Sequence, residues 1–135
     1  MSHLLDTNAW VDTLRRGASS KVEARIAAAP PGSVYLCSVV VGELLFGATH
    51  RDPKYTASNL AAVAKIRSGA TSLPYDDRAA EEYARIREHL SRLGTLIGSN
   101  DMMIAAIAIT NGLKLVTHNT AEFSRVPGLQ LEDWQ

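Results

Sequence analysis

The eight residues from Met102 to Ile109 carry no polar side chain. A helix that is apolar all round must be covered on every side, so this segment belongs at the centre of a layered fold. Ser99 is its expected N-cap, the helix spans 100–111, and Gly112 stops it. Short β-rich runs alternate with helical stretches along the rest of the chain. Residues 2–6 read as a first strand and 8–16 as a short helix closed by Gly17. Ser19 or Ser20 caps a helix over 21–29, which Pro30, Pro31 and Gly32 end. A second strand is expected over 33–37, with Ser38 as N-cap of a helix over 39–50. Pro53 opens a helical region over 54–68, and 71–74 reads as a third strand. Asp76 or Asp77 caps the most regular helix, in which Ala80, Tyr83, Ile86, Arg87 and Leu90 keep a helical rhythm up to Leu93, with Gly94 just beyond. Residues 113–117 form a fourth strand and 129–131 a candidate fifth. Alternation of this kind implies an α/β fold with a mainly parallel sheet and helices on both faces.

The 135 residues, with no repeat, low-complexity tract or long linker, are expected to form a single domain over 1–135. One cysteine, Cys37, excludes a disulfide framework and a multi-cysteine zinc site. No apolar run approaches the ~18 residues of a membrane span. The first residues lack the charged start and apolar stretch of a signal peptide, so a soluble cytoplasmic protein is expected. The formal net charge is zero, but residues 1–70 hold eight Lys/Arg against five Asp/Glu, and residues 71–135 hold six against nine. A basic surface beside an acidic one fits this balance, as do solvated helix faces of both signs.

In parallel sheets, ligands gather at the carboxyl ends of strands and the N-termini of the helices that follow. Asp6 closes the first strand with Thr7 and Asn8 behind it. Thr117, His118 and Asn119 close the fourth, Asp101 lies in the first turn of the apolar helix, and Glu43 follows the second strand. Glu43 is flanked by Val39–Val41 and Leu44–Phe46, with only Gly42 between. A carboxylate buried there must protonate, pair with a cation or bind a metal, whereas an exposed helical face is the bland alternative. Taken singly, Asp101 can complement the helix dipole and Asp6 can cap a helix. Taken together, three such carboxylates repel one another unless a cation lies between them. With no histidine or cysteine pair at ligand spacing, that cation is a hard one, Mg²⁺ or Mn²⁺. His118 could face a substrate, while His3 reads as structural and His50 and His89 as surface residues. No Gly-rich phosphate loop or nucleophile triad is present.

In order along the chain, Leu4-Leu5-Asp6-Thr7-Asn8, Ser38 to Ala48 around Gly42-Glu43, Ile97-Gly98-Ser99-Asn100-Asp101-Met102-Met103, Thr117-His118-Asn119, Glu122-Phe123 and Glu132-Asp133-Trp134 form a set that resembles the PIN-domain family. Within it, the chain looks like the VapC-like ribonuclease toxins of type II toxin–antitoxin systems, over nearly its whole length. The resemblance implies a three-layer α/β/α sandwich with strand order 3-2-1-4-5, a homodimer or higher toxin–antitoxin assembly, and a Mg²⁺- or Mn²⁺-dependent endoribonuclease. The family's metal-binding and catalytic acids fall on Asp6, Glu43 and Asp101. A fourth acid falls on Asn119, which brings an amide and no charge, and Glu122 one helical turn on is its candidate substitute. Thr7 and Thr117 look like hydroxyls that orient carboxylates or water. The cation would bind a phosphate oxygen and acidify a water, with Glu43 holding that water, and cleavage would leave a 5′-phosphate and a 3′-hydroxyl. Arg15, Arg16, Lys21, Arg25 and Arg51 are candidate phosphate contacts, with solvated surface as the alternative for each.

The implied partners are RNA and a cognate antitoxin whose disordered tail places a basic side chain against the acids. The stretch from Ala61 to Ala64 and the Trp10 region could carry that contact or the dimer, and core packing explains them equally well. A catalytically silent PIN-like module that binds RNA or a partner is the competing reading, against which stands the joint presence of Asp6, Glu43 and Asp101. A phospho-receiver domain is disfavoured, because strand three ends at Leu73-Pro74-Tyr75 and strand four is followed by His118-Asn119 rather than lysine.

Overall fold

A computed structural model describes residues 2–135. Five strands form one sheet in the order β3-β2-β1-β4-β5: β1 (His3–Leu5), β2 (Val34–Cys37), β3 (Thr71–Leu73), β4 (Lys114–Val116) and β5 (Leu131–Glu132). Every pairing is parallel. His3 lies opposite both Val34 and Lys114, Tyr35 opposite Thr71, and Val116 opposite Glu132. Strand order and fold class agree with the expectation. The helices are α1 (Thr7–Arg16), α2 (Lys21–Ala28), α3 (Ser38–His50), α4 (Thr56–Gly69), α5 (Asp77–Arg92), α6 (Ser99–Thr110) and α7 (Thr120–Phe123).

The apolar segment is indeed central. Met102 and the run from Ile104 to Ala108 are buried in α6, which packs against α5. Leu4, Leu5, Leu36, Leu115 and Val116 supply the sheet's share of the core. Both α5 and α6 end where glycine takes a positive φ: Gly94 at 67° and Gly112 at 64°. The amide after each glycine closes the turn, Thr95 N–H donating to the Leu90 carbonyl and Leu113 N–H to that of Ala108, 2.9 Å in both cases.

Several boundaries differ from the sequence reading. Strand β1 is shorter than 2–6 because Asp6 leaves it to cap α1, which starts one residue early at Thr7. Ser20, not Ser19, caps α2, accepting from Glu23 N–H at 3.1 Å. Neither Ser38 nor Ser99 acts as an N-cap. Cys37 and Gly98 occupy those positions without a side-chain bond, and the Ser38 hydroxyl instead accepts the Tyr75 N–H at 3.0 Å, tying α3 to the segment after β3. A separate turn, Pro53–Tyr55, capped by Asp52, precedes α4. The fifth strand sits at Leu131–Glu132, further along than 129–131, because that register pairs Leu131 with the buried Leu115. Helix α7 has no counterpart among the expected elements, being too short for a periodic apolar signal.

Candidate active site

At the carboxyl end of β1, Asp6 is 4% exposed and both carboxylate oxygens are engaged. Thr7 N–H donates to Oδ1 at 2.8 Å, and the Thr117 hydroxyl donates to Oδ2 at 2.9 Å. Thr117 follows β4 directly and is itself buried, and its Oγ1 accepts the Asn119 N–H at 3.0 Å. The adjacent strands β1 and β4 thus bring Asp6 and Thr117 side by side. The Thr7 hydroxyl donates to Glu43 Oε1 at 2.6 Å, linking α1 to α3. Glu43 is half-buried, between the two alternatives its sequence context left open. Asn119 donates through Nδ2 to Glu122 Oε2 at 3.1 Å, which ties the amide to the acid of α7.

Asp101, in the first turn of α6, faces the same group. Its carboxyl is pushed up to about 6, first by burial and then by the negative charges of Asp6, Glu43 and Glu122. Burial also raises the Asp6 carboxyl, against the lowering effect of its hydrogen bonds from Thr117 and Thr7, and Glu43 adds to the rise. Cys37, at the end of β2, lies within the same field, its thiol pushed up to about 11 chiefly by burial. Four carboxylates from β1, α3, α6 and α7 therefore share one electrostatic environment. Among the described residues, none of the four forms an ion pair with Lys, Arg or His.

Such a set fits a hard divalent cation. Every donor is an oxygen, Asp6 and Asp101 resist ionisation chiefly through burial and then through neighbouring negative charge, and Asp6 is buried where a bare carboxylate is costly. The acids are not drawn into a closed cage: among the described residues no three His, Cys, Asp or Glu side chains are gathered tightly enough to hold an ion as they stand.

The candidate basic residues divide. Arg15 and Arg16 line a cleft next to Asn8 and Asn119, and Lys21 lies on its continuation. Arg25 is committed elsewhere, reaching Glu132 at 3.4 Å and stacking 4.8 Å from the Trp134 ring. Arg51 follows the last residue of α3, eight residues and roughly 12 Å of helix beyond Glu43, and it does not line the cleft. His118 lines the cleft as well, its Nδ1 2.9 Å from Asp133 Oδ2, while His3 pairs with Glu132 at 3.1 Å in the structural role expected of it. His50 is exposed and stacks on Phe46. Trp10 is core, and within 61–64 only Val63 is fully buried. Sequence reasoning missed Asp133 and Asp12. The Asp12–Arg16 pair was legible as an i, i+4 spacing, whereas the partner of His118 lies 15 residues away.

The PIN domain family model matches residues 3–129. The tRNA(fMet)-specific endonuclease VapC of Shigella flexneri is 37% identical, covering 99% of this chain and 98% of the relative. The structure of DNA-bound VapBC from Salmonella typhimurium superposes with a TM-score of 0.91 at 34% identity, over 100% of this chain and 99% of that one. VapBC-5 of Mycobacterium tuberculosis, a member of the VapBC family of toxin–antitoxin systems, superposes at 0.72 with 27% identity, over 98% and 96%. On the family match and full-length likeness together, the chain belongs to the PIN-domain family, in its VapC group of ribonuclease toxins.

Proposed function

We propose that this chain works as a single domain over residues 1–135 that hydrolyses RNA phosphodiester bonds at the pocket around Asp6, Glu43 and Asp101. The observation that carries this reading is the field at Asp101, whose carboxyl is pushed to about 6 by burial and three neighbouring acids, none of them paired with Lys, Arg or His among the described residues. Asp6, Asp101 and Glu43 would hold Mg²⁺ or Mn²⁺, which when bound supplies positive charge to the scissile phosphate and acidifies a water. Thr7 N–H and the Thr117 hydroxyl hold Asp6 in one orientation. The Thr7 hydroxyl occupies one oxygen of Glu43, leaving Oε2 to take the proton of the attacking water. Water adds to phosphorus in line, the bond to the 3′ oxygen breaks, and the products are a 5′-phosphate and a 3′-hydroxyl. Glu122, held by Asn119, contributes negative charge to the same pocket in place of a fourth acid at position 119.

The partners we assign are RNA, a cognate antitoxin and a second copy of the chain. An antitoxin arginine entering the acid pocket would supply the missing charge and exclude RNA at once. The groove of about 640 Å³ between α1, α2 and α4, lined by Trp10, Leu14, Ile26, Ala62 and Ile66, is the apolar surface we assign to that antitoxin. Among the described residues no helix is long and apolar enough to cross a membrane, and a cytoplasmic site of action is where RNA and antitoxin are both available.

The test is cleavage of a tRNA pool by the purified protein with Mn²⁺, beside EDTA and beside Asp101→Asn. The pool includes initiator tRNA, because the Shigella flexneri relative is specific for tRNA(fMet). Cleavage lost in both controls is expected. Cutting that survives in Asp101→Asn assigns the activity elsewhere.

A further inference from the structure

The acid pocket poses a problem for its own substrate. Four uncompensated carboxylates repel a polyanion, so affinity for the strand must come from groups beside the pocket rather than in it. Helix α1 and the segment after β4 face one another across a cleft of about 510 Å³, lined by Asn8, Asp12, Arg15, Arg16, His118 and Asn119. That volume is within the roughly 300–1,000 Å³ of ligand-binding clefts. Two of its lining residues connect it to the acids: Asn8 stands two residues after Asp6, and Asn119 donates its N–H to the hydroxyl that holds Asp6 and its amide to Glu122. A hollow of about 270 Å³ lined by Arg16, Ser19, Lys21 and His118 continues it outward.

The polar groups of this cleft are arranged with donors left over. Both oxygens of Asp12 are engaged, Oδ1 in an ion pair with Arg16 Nε at 2.9 Å and Oδ2 accepting the Ser20 hydroxyl at 2.6 Å. That ion pair engages Arg16 at Nε and leaves both terminal amines without an ion-pair partner among the described residues. Two parallel N–H groups are the fork that matches phosphate oxygens. Arg15 forms no ion pair among the described residues. His118 is held through Nδ1 by Asp133, whose carboxyl is kept low chiefly by the Gln135 N–H and also by His118. Its Nε2 has no hydrogen-bond partner among the described residues.

We propose that this cleft is the phosphodiester subsite for the RNA strand adjoining the scissile bond, with Arg15, Arg16 and His118 contacting the backbone and Lys21 extending the track. The assignment rests on the ribonuclease reading above. It makes Asp12 and Asp133 positioning residues that act through Arg16 and His118.

The test uses full-length protein silenced by Asp101→Asn and total tRNA labelled with fluorescein at its 3′ end, with binding followed by anisotropy across a salt series. Adding Arg15→Ala or His118→Gln is expected to weaken binding several-fold, on the order of tenfold for the arginine, and to make the slope of log affinity against log salt shallower by about one for the arginine. Arg92→Ala on the far helix α5 leaves both unchanged. Mn²⁺ binding by otherwise wild-type Arg15→Ala protein stays as it was, which separates lost RNA contact from a disturbed acid pocket. Unchanged affinity and slope in both cleft variants, with a wild-type chain that cleaves RNA, overturns the subsite and leaves the nuclease standing. A wild-type chain that neither binds nor cleaves RNA overturns both.

Discussion

Two acidic centres in this molecule are built on opposite plans. Glu132, on β5, is surrounded by partners: Trp134 Nε1–H at 3.0 Å, His3 at 3.1 Å, Lys114 at 3.2 Å and Arg25 at 3.4 Å. Its carboxyl is pulled down to about 2, first by the Trp134 hydrogen bond and then by those from His3 and Lys114, against its own burial. Asp101 has no such company and is pushed up to about 6 by burial and three neighbouring acids. One arrangement welds the chain's last strand to β1 and α2. The other keeps a pocket under electrostatic tension that a cation would relieve. A carboxylate supplied with cations from its own chain stabilises the fold, and one denied them is available for chemistry.

The sharpest way to break this contrast is Asp101→Asn. RNA cleavage is expected to fall a hundredfold or more, in line with losing a group that positions reacting atoms. The same change should stabilise the metal-free protein by about 1 kcal/mol at pH 7 after allowance for solvent screening, measured by urea unfolding in chelator. Activity kept with stability lost would reverse the assignment.

Thr117→Val comes next. It strips one donor from the buried Asp6 and one acceptor from the Asn119 N–H, and cleavage should drop about 10–100-fold. Unfolding measurements should show a loss of about 1–3 kcal/mol, the usual cost of leaving buried polar groups unpaired.

Glu132→Gln is the mirror experiment. Because the folded carboxyl is lowered from 4.5 to about 2, its contribution is present above pH ~4.5 and lost as pH falls towards 2. The carboxylate is about a quarter exposed, so the loss at pH 7 is expected to be about 1–2 kcal/mol, with cleavage retained. Asp101 sets the opposite slope. Its raised value means that the metal-free fold binds the extra proton between pH ~4 and ~6, so stability falls as pH rises through that window. Saturating Mn²⁺ should flatten that decline and raise Tm, and a decline unaffected by Mn²⁺ would detach the acids from the metal. At the bottom of the scale, Arg92→Ala removes only an exposed i, i+4 pair with Glu88 on α5 and should change stability by no more than about 0.5 kcal/mol.

Much of the architecture was legible because its signals are local. Apolar runs, glycine stops after α5 and α6, and the alternation of strand and helix depend on neighbours a few residues apart, and they carried the fold class, while the strand order came from the family resemblance alone. Three of the site residues stood out for the same reason: Asp6 ends an apolar run, while Glu43 and Asp101 are lone acids in apolar helices. Where competing partners lay far off, local rules failed. Ser38 is a good N-cap by type, yet its hydroxyl is claimed by the Tyr75 N–H, 37 residues away. The position of β5 followed the buried Leu115 rather than its own propensity.

The sequence by itself determined which segments must be covered, where they stop, and which acids stand beside apolar runs. Only the tertiary structure decided that Asp6, Glu43, Asp101 and Glu122 share one field, that Glu132 is the acid with cations around it, and that Arg15, Arg16 and His118 stand in one cleft while Arg25 and Arg51 do not. The physical reason is range. Burial and periodicity act between near neighbours and are written along the chain, whereas charge interactions depend on distance in space, and distance in space exists only once the sheet has set β1 beside β4.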